Sequence, residues 1–327
     1  MLNILLNPIP IPETQLAVPT ATVGTMMFGK RTDWKESARI VDIAFEHGLN
    51  FFDTATMYQD GESERFLGTA LRGRRDKCII STKVGYGKGP NGKEEGLSYS
   101  AIIRAIDRSL KNLGTDYVDI YYLHRPDYAT PIEETLQAIC SLIEAGKICY
   151  YGLSNYASWQ CMEILNLCAA NGWSKPVTSQ VMYNPLFRQI EIEHVPFAKA
   201  YGIFLTVYNP LAGGLLTGEY LSVSKAKKAS RFHQNDLYCR RYLSERFLQG
   251  VLGLKRIAES ESLTLTHLTL NWIVRKGTVD NLILGPSTSE QLLDCLAAGT
   301  ISLRKELIRK IDKYLTRFEG TEARYAR

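Results

Sequence analysis

The sequence predicts an α/β fold: a single (β/α)8 TIM barrel over residues 1–327, with extended C-terminal-face loops and an extra C-terminal helix. Three observations predict it. Eight short apolar runs alternate with longer amphipathic segments; the first run is not followed by a dinucleotide-type glycine pattern; and polar residues stand at the ends of successive runs.

The runs cover 22–29, 50–53, 78–83, 118–124, 150–154, 178–182, 203–208 and 282–285. They are rich in Val, Ile, Phe and Tyr, and several are apolar almost throughout, as strands buried on both faces are. Helical patterns fill 35–47, 63–72, 98–113, 131–145, 157–170, 193–201 and 289–297. The segment 98–113 opens at Ser98 or Ser100 and stops before Gly114, and Pro131 stands where a helix begins. Strands that alternate with helices form a parallel sheet, and eight repeats favour closure into a barrel. The rival, an open doubly wound sheet, needs G-x-G-x-x-G after its first strand, where only Gly24 and Gly29 occur. The longest irregular stretch, 211–245, separates the seventh strand from its helix and reads as a binding loop, a lid or a solvated excursion. Residues 302–317 supply the extra helix, followed by a polar tail.

The composition, 45% hydrophobic and 22% charged, suits one large core. A net charge of +5, spread along the chain, argues against nucleic acid and modestly favours an anionic ligand. The seven cysteines form no C-x-x-C pair and read as reduced, buried thiols of a cytoplasmic protein. The N-terminus lacks a basic region and is broken by Pro8, Pro10 and Pro12, unlike a signal peptide, and no run reaches the ~18 apolar residues of a membrane span. No metal-ligand set is read.

In a barrel of this kind the chemistry lies at the C-terminal ends of the strands. There the sequence places Asp53, Lys83 and His124 on three successive strands, with Tyr58 just past the first; Ser154 and Asn155 follow the next, Gln180 lies in the sixth, and Tyr208 ends the seventh. Singly, Asp53 reads as a turn cap, Lys83 as a surface lysine, His124 as a core histidine and Tyr58 as a rim aromatic. Together they suit carbonyl reduction. A phenol donates a proton at neutral pH and does so better beside an ammonium that stabilises its phenolate. Asp53 can keep a buried Lys83 charged, and His124 can hydrogen-bond the carbonyl oxygen.

Five segments in order, DTATMY at 53–58, STK at 81–83, YLHRPD at 122–127, GLSNY at 152–156 and YNPLAGGLLTG at 208–218, resemble the aldo-keto reductase superfamily. The resemblance implies that Asp53, Tyr58, Lys83 and His124 form a catalytic tetrad serving NADPH-dependent reduction of aldehydes or ketones. It implies that Ser154, Asn155 and Gln180 bind the nicotinamide amide, that Tyr208 stacks on the ring, and that Asn209, Pro210, Leu211, Gly213, Gly214, Leu216 and Gly218 wrap the pyrophosphate. Gly285, Ser287, Ser289 and Gln291 would hold the adenosine phosphate, with Arg231 favouring NADPH over NADH. Within the superfamily, GTMMFGKR, MYNPLFRQIE and YCRRY resemble the aflatoxin B1 aldehyde reductase group, which also reduces succinic semialdehyde. That likeness adds Tyr238, Arg241 and Arg327 to a substrate pocket suited to a carboxylate-bearing carbonyl compound, and implies a homodimer. Glu219 departs from the group's usual lysine. Two alternatives share these motifs: an NADPH-binding regulatory subunit of the channel β type, and a reductase or aryl-alcohol dehydrogenase dedicated to one secondary metabolite.

Overall fold

The computed structural model describes residues 3–87, 96–220, 232, 239–240 and 242–318. The chain opens with an antiparallel hairpin, β1 (Pro8–Pro10) and β2 (Ala17–Pro19), in which Ile9 opposes Val18. Eight parallel strands follow: β3 (Ala21–Gly24), β4 (Phe51–Asp53), β5 (Ile79–Val84), β6 (Val118–Leu123), β7 (Ile148–Ser154), β8 (Thr178–Met182), β9 (Phe204–Tyr208) and β10 (Asn281–Leu284). Each pairs with the next, and β10 returns to β3 through Leu282 and Ala21, closing the barrel. The helices between them are α1 (Trp34–Glu46), α2 (Glu62–Ala70), α3 (Tyr99–Leu113), α4 (Ile132–Glu144), α5 (Ser158–Asn171), α6 (His194–Ala200), α7 (Glu245–Ser260) and α8 (Leu265–Arg275). After β10 come α9 (Ser289–Ala298) and the extra helix α10 (Lys305–Leu315).

Local sequence sets these boundaries. Ser98 caps α3 by accepting the Ala101 N–H, and Gly114 ends it at φ 64°, a conformation costly for any residue with a Cβ. The barrel strands are buried on both faces because side chains alternate between the lumen and the helical layer. The hairpin was not foreseen in the sequence, where its prolines concealed it. Ile11 and Val18 cluster with Phe51, Ile79, Ile120 and Phe204, which lie at or near the starts of barrel strands, so the hairpin closes the N-terminal end. The opposite end is left for the site.

Two expected boundaries shift. The first barrel strand ends at Gly24, not residue 29, because the Phe28 N–H turns back to the Thr25 carbonyl and Gly29 adopts φ 81°. The region after 245, for which no helix range was read, holds α7 and α8, capped by Ser244 and Thr264. Glycines that weaken the helical signal of α7 are there for close packing: a Cβ on Gly253 would lie 1.8 Å from the Tyr314 hydroxyl of α10. The cysteines correct one expectation. Cys78, Cys161, Cys168 and Cys295 are buried, but Cys140 and Cys239 are half-buried and Cys149 is exposed. Among the described residues no helix is long and apolar enough to cross a membrane.

Candidate active site

Parallel register brings the polar strand ends to one level. Asp53 pairs with Ser81 across β4 and β5, Lys83 with Tyr122 across β5 and β6, and Ser154 with Gln180 across β7 and β8. Asp53, at the end of β4, accepts from three neighbours: Lys83 Nζ at 2.5 Å, Ser81 Oγ at 2.7 Å and Gln180 Nε2 at 3.0 Å. Lys83 is fully buried. Its ammonium also donates to the Thr54 carbonyl at 2.7 Å. Burial pulls the Lys83 pKa below the usual lysine range, and the adjacent Asp53 carboxylate opposes that pull.

Tyr58 sits on a loop that the same strand holds. The Thr56 N–H and hydroxyl both donate to the Lys83 carbonyl, at 3.2 and 3.0 Å. Gln59 and Asp60 then take the left-handed φ values of 51° and 54°, and Gly61 that of 89°, which turns the chain sharply into α2. Such a run of sparsely populated conformations persists only where the surroundings impose it. Here Ser63 does so, with its hydroxyl 2.8 Å from that of Thr25 and 2.9 Å from that of Thr54. The Tyr58 ring centre lies 5.2 Å from Lys83 Nζ and 6.1 Å from the His124 ring, edge to face.

His124 follows β6, its N–H bonded to the Val84 carbonyl at 2.8 Å. Its Nδ1 is buried with no hydrogen-bond partner among the described residues. Burial, then the Lys83 and Arg125 cations, push its pKa down to about 3, so the imidazole is neutral at physiological pH. Phenol, ammonium, carboxylate and imidazole therefore meet at one end of the barrel.

Beside them runs an amide-rich arc. Asn155 adopts φ 65°, its Nδ2 donates to the His124 carbonyl at 2.9 Å and to Ser154 Oγ at 3.0 Å, and its Oδ1 accepts the Tyr208 hydroxyl at 2.7 Å. Gln180 donates to Asp53, coupling the arc to the charged pair. After β9, Asn209 (φ 56°) donates to the Tyr242 hydroxyl at 3.0 Å, and Pro210 and Leu211 lead into a 3-10 turn kinked at Gly213 and Gly214. The amides of Gly214, Leu216 and Gly218 close turns within this segment, and the Leu216 side chain is buried beneath it. Gly285, Ser287, Ser289 and Gln291 cluster after β10 at the start of α9, where β10 lies between β9 and β3.

Arg231, Tyr238, Arg241 and Arg327 lie outside the described residues. Other residues join the site that sequence reading had passed over. Tyr86 stacks edge-on against His124 with centroids 5.4 Å apart, and the Arg125 guanidinium lies 4.4 Å from the Tyr86 ring centre. Thr32 in the β3–α1 connection and Glu36 in the first turn of α1 reach the α9 loop: the Thr32 hydroxyl donates to the Ser287 carbonyl at 3.0 Å, and the Glu36 carboxylate accepts the Ser289 N–H. The position of Arg125, next to His124, was a readable signal. Nothing local in the sequence points Glu36 at a segment some 250 residues away.

Comparisons agree with this geometry. A family model described as "Aldo/keto reductase family" matches residues 21–316. The chain is 39% identical to the aflatoxin B1 aldehyde reductase member 2 of Rattus norvegicus, over 86% of this chain and 80% of the relative. It is 37% identical to the human aldo-keto reductase family 7 member A3, over 86% and 89% of the two chains. A protein of Arabidopsis thaliana described as a probable voltage-gated potassium channel subunit beta is 36% identical over 88% and 89%. The closed eight-stranded barrel, the matched span and these relatives together place the chain in the aldo-keto reductase family of nicotinamide-dependent oxidoreductases acting on carbonyl compounds.

Proposed function

We propose that this chain reduces aldehydes or ketones to alcohols with NADPH as reductant, with Tyr58 as proton donor. The observation that carries the reading is the buried Lys83–Asp53 pair beside the Tyr58 ring and a neutral His124. The donor set beside it suits a nicotinamide: a hydroxyl at Ser154, side-chain amides at Asn155 and Gln180, and the flat ring of Tyr208. When bound, that cofactor supplies the hydride. The chain's own residues do the rest. Tyr58 passes its hydroxyl proton to the carbonyl oxygen, and the Lys83 ammonium stabilises the phenolate left behind. Asp53 keeps that ammonium in place, where burial alone would strip its proton. A neutral His124 offers a ring N–H to the carbonyl oxygen, fixing its direction without adding charge.

The substrate we infer is a small carbonyl compound, with Arg125 and Tyr86 beside His124 on one wall of the mouth. The location inferred is cytoplasmic. The likeness to a channel subunit supports a second reading, a regulatory protein that binds the cofactor and turns over little. Steady-state NADPH oxidation with 4-nitrobenzaldehyde and succinic semialdehyde separates the two. Turnover on either compound supports the reductase; tight NADPH binding with no turnover across a broad aldehyde panel overturns it in favour of the regulatory subunit.

A further inference from the structure

At the start of α9 three backbone N–H groups are taken by the protein's own side chains. The Ser287 N–H donates to Gln291 Oε1 at 2.8 Å, the Gln291 N–H to Thr288 Oγ1 at 3.2 Å, and the Ser289 N–H to the Glu36 carboxylate. The last contact has an unusual origin. Asp33 and Glu36 have the spacing of a capping box, and Asp33 does take the Glu36 N–H at 2.9 Å. In such a box the glutamate returns to the N-terminus of its own helix. Here it crosses to another helix, and Thr32 anchors the same loop on the Ser287 carbonyl at 3.0 Å.

This arrangement fits a 2′-phosphate poorly. A phosphate group at a helix N-terminus uses free backbone N–H groups and the positive end of the helix dipole. Glu36 places a carboxylate on one of those groups and adds a like charge beside any incoming anion. A 2′-hydroxyl, being neutral, meets no such repulsion.

We propose that Glu36 is an intramolecular competitor of the cofactor's 2′-phosphate, narrowing this chain's preference for NADPH over NADH. The inference rests on the reading of residues 285–291 as the adenosine end of the cofactor site. To bind NADPH, the Glu36 side chain must leave the Ser289 N–H; to bind NADH it can stay. Glu36 is thus a specificity residue acting at the far end of the cofactor from the carbonyl chemistry.

Glu36→Gln isolates the charge, because the amide oxygen of glutamine can still accept the Ser289 N–H and keep α1 joined to α9. Dissociation constants are measured by titration calorimetry for NADPH, NADH, 2′,5′-ADP and 5′-AMP on the full-length wild type and variant. The variant should bind NADPH and 2′,5′-ADP about tenfold more tightly at low salt, the range of a charge interaction at a helix terminus. NADH and 5′-AMP should change less than about twofold, and the gain should shrink as ionic strength rises. An equal change for the phosphorylated and unphosphorylated ligands, or no change in either, overturns the proposal while leaving the cofactor site intact. If the wild type binds neither dinucleotide, the cofactor reading itself fails and takes the proposal with it.

Discussion

Asp53→Asn tests whether the buried pair is the structural centre of the site. In the wild type the carboxylate takes three donors, from Lys83, Ser81 and Gln180, and Lys83 is wholly shielded from water. Asparagine offers one oxygen and one NH2 in their place. Either the amide group faces the Lys83 ammonium, setting donor against donor, or it faces Ser81 and Gln180 and orphans them. In the first arrangement Lys83 keeps only the Thr54 carbonyl as an acceptor, and in the second it keeps the amide oxygen as well; in both it loses its counter-charge. Breaking a buried pair by neutralising one member costs about 3–5 kcal/mol, since the remaining charge stays desolvated. For a chain of 327 residues that corresponds to a fall of about 4–8 °C in Tm. The assay is calorimetric or fluorescence-monitored unfolding of the wild type, Asp53→Asn, Lys83→Met and the double variant. The double variant removes the stranded charge, so it should regain at least ~2 kcal/mol relative to the additive sum. A shift under ~1 °C for Asp53→Asn, or strict additivity in the cycle, refutes the argument that the pair is buried and mutually dependent.

Tyr58→Phe should lower kcat for aldehyde reduction by about 10²-fold or more with little change in NADPH affinity; near-wild-type turnover in single-turnover kinetics rejects Tyr58 as proton donor. His194 is buried between the Ser158 and Ser179 hydroxyls, and burial pushes its pKa from 6.5 down to about 4. The folded state therefore binds fewer protons than the unfolded chain, and stability present above pH 6.5 falls as the pH drops toward 4, by about 3 kcal/mol in all. His124 titrates in the same direction, so His194→Gln should remove roughly half of the loss between pH 6.5 and 4.5; urea titrations showing the wild-type pH slope in that variant refute the assignment. Gly68→Ala should destabilise the protein by about 1–3 kcal/mol despite the better helix propensity of alanine, because its Cβ would lie 2.3 Å from the Leu113 carbonyl oxygen; an unchanged or raised Tm shows that α2 and α3 can separate at no cost.

The sequence by itself determined the barrel strands and the four polar residues at their ends. Short β-branched and aromatic runs alternating with amphipathic segments admit few topologies, and parallel strands of matched register carry their C-terminal residues to one mouth. Asp53, Lys83 and His124 were legible for that reason: each is one residue at a predictable place on a predictable element. Tyr58 was legible only as part of the set. Its position depends on three consecutive left-handed residues, Gln59 to Gly61, held by the Thr25–Thr54–Ser63 hydroxyl cluster. The hairpin that closes the barrel floor, the packing that tolerates Gly253 in α7, and the orphaned Nδ1 of His124 were decided by tertiary structure. Glu36 marks the division most sharply. Its local sequence specifies a helix cap, and the fold gives its carboxylate to Ser289 instead, because a closed barrel brings the first and last β/α units side by side, a long-range contact that no local pattern encodes.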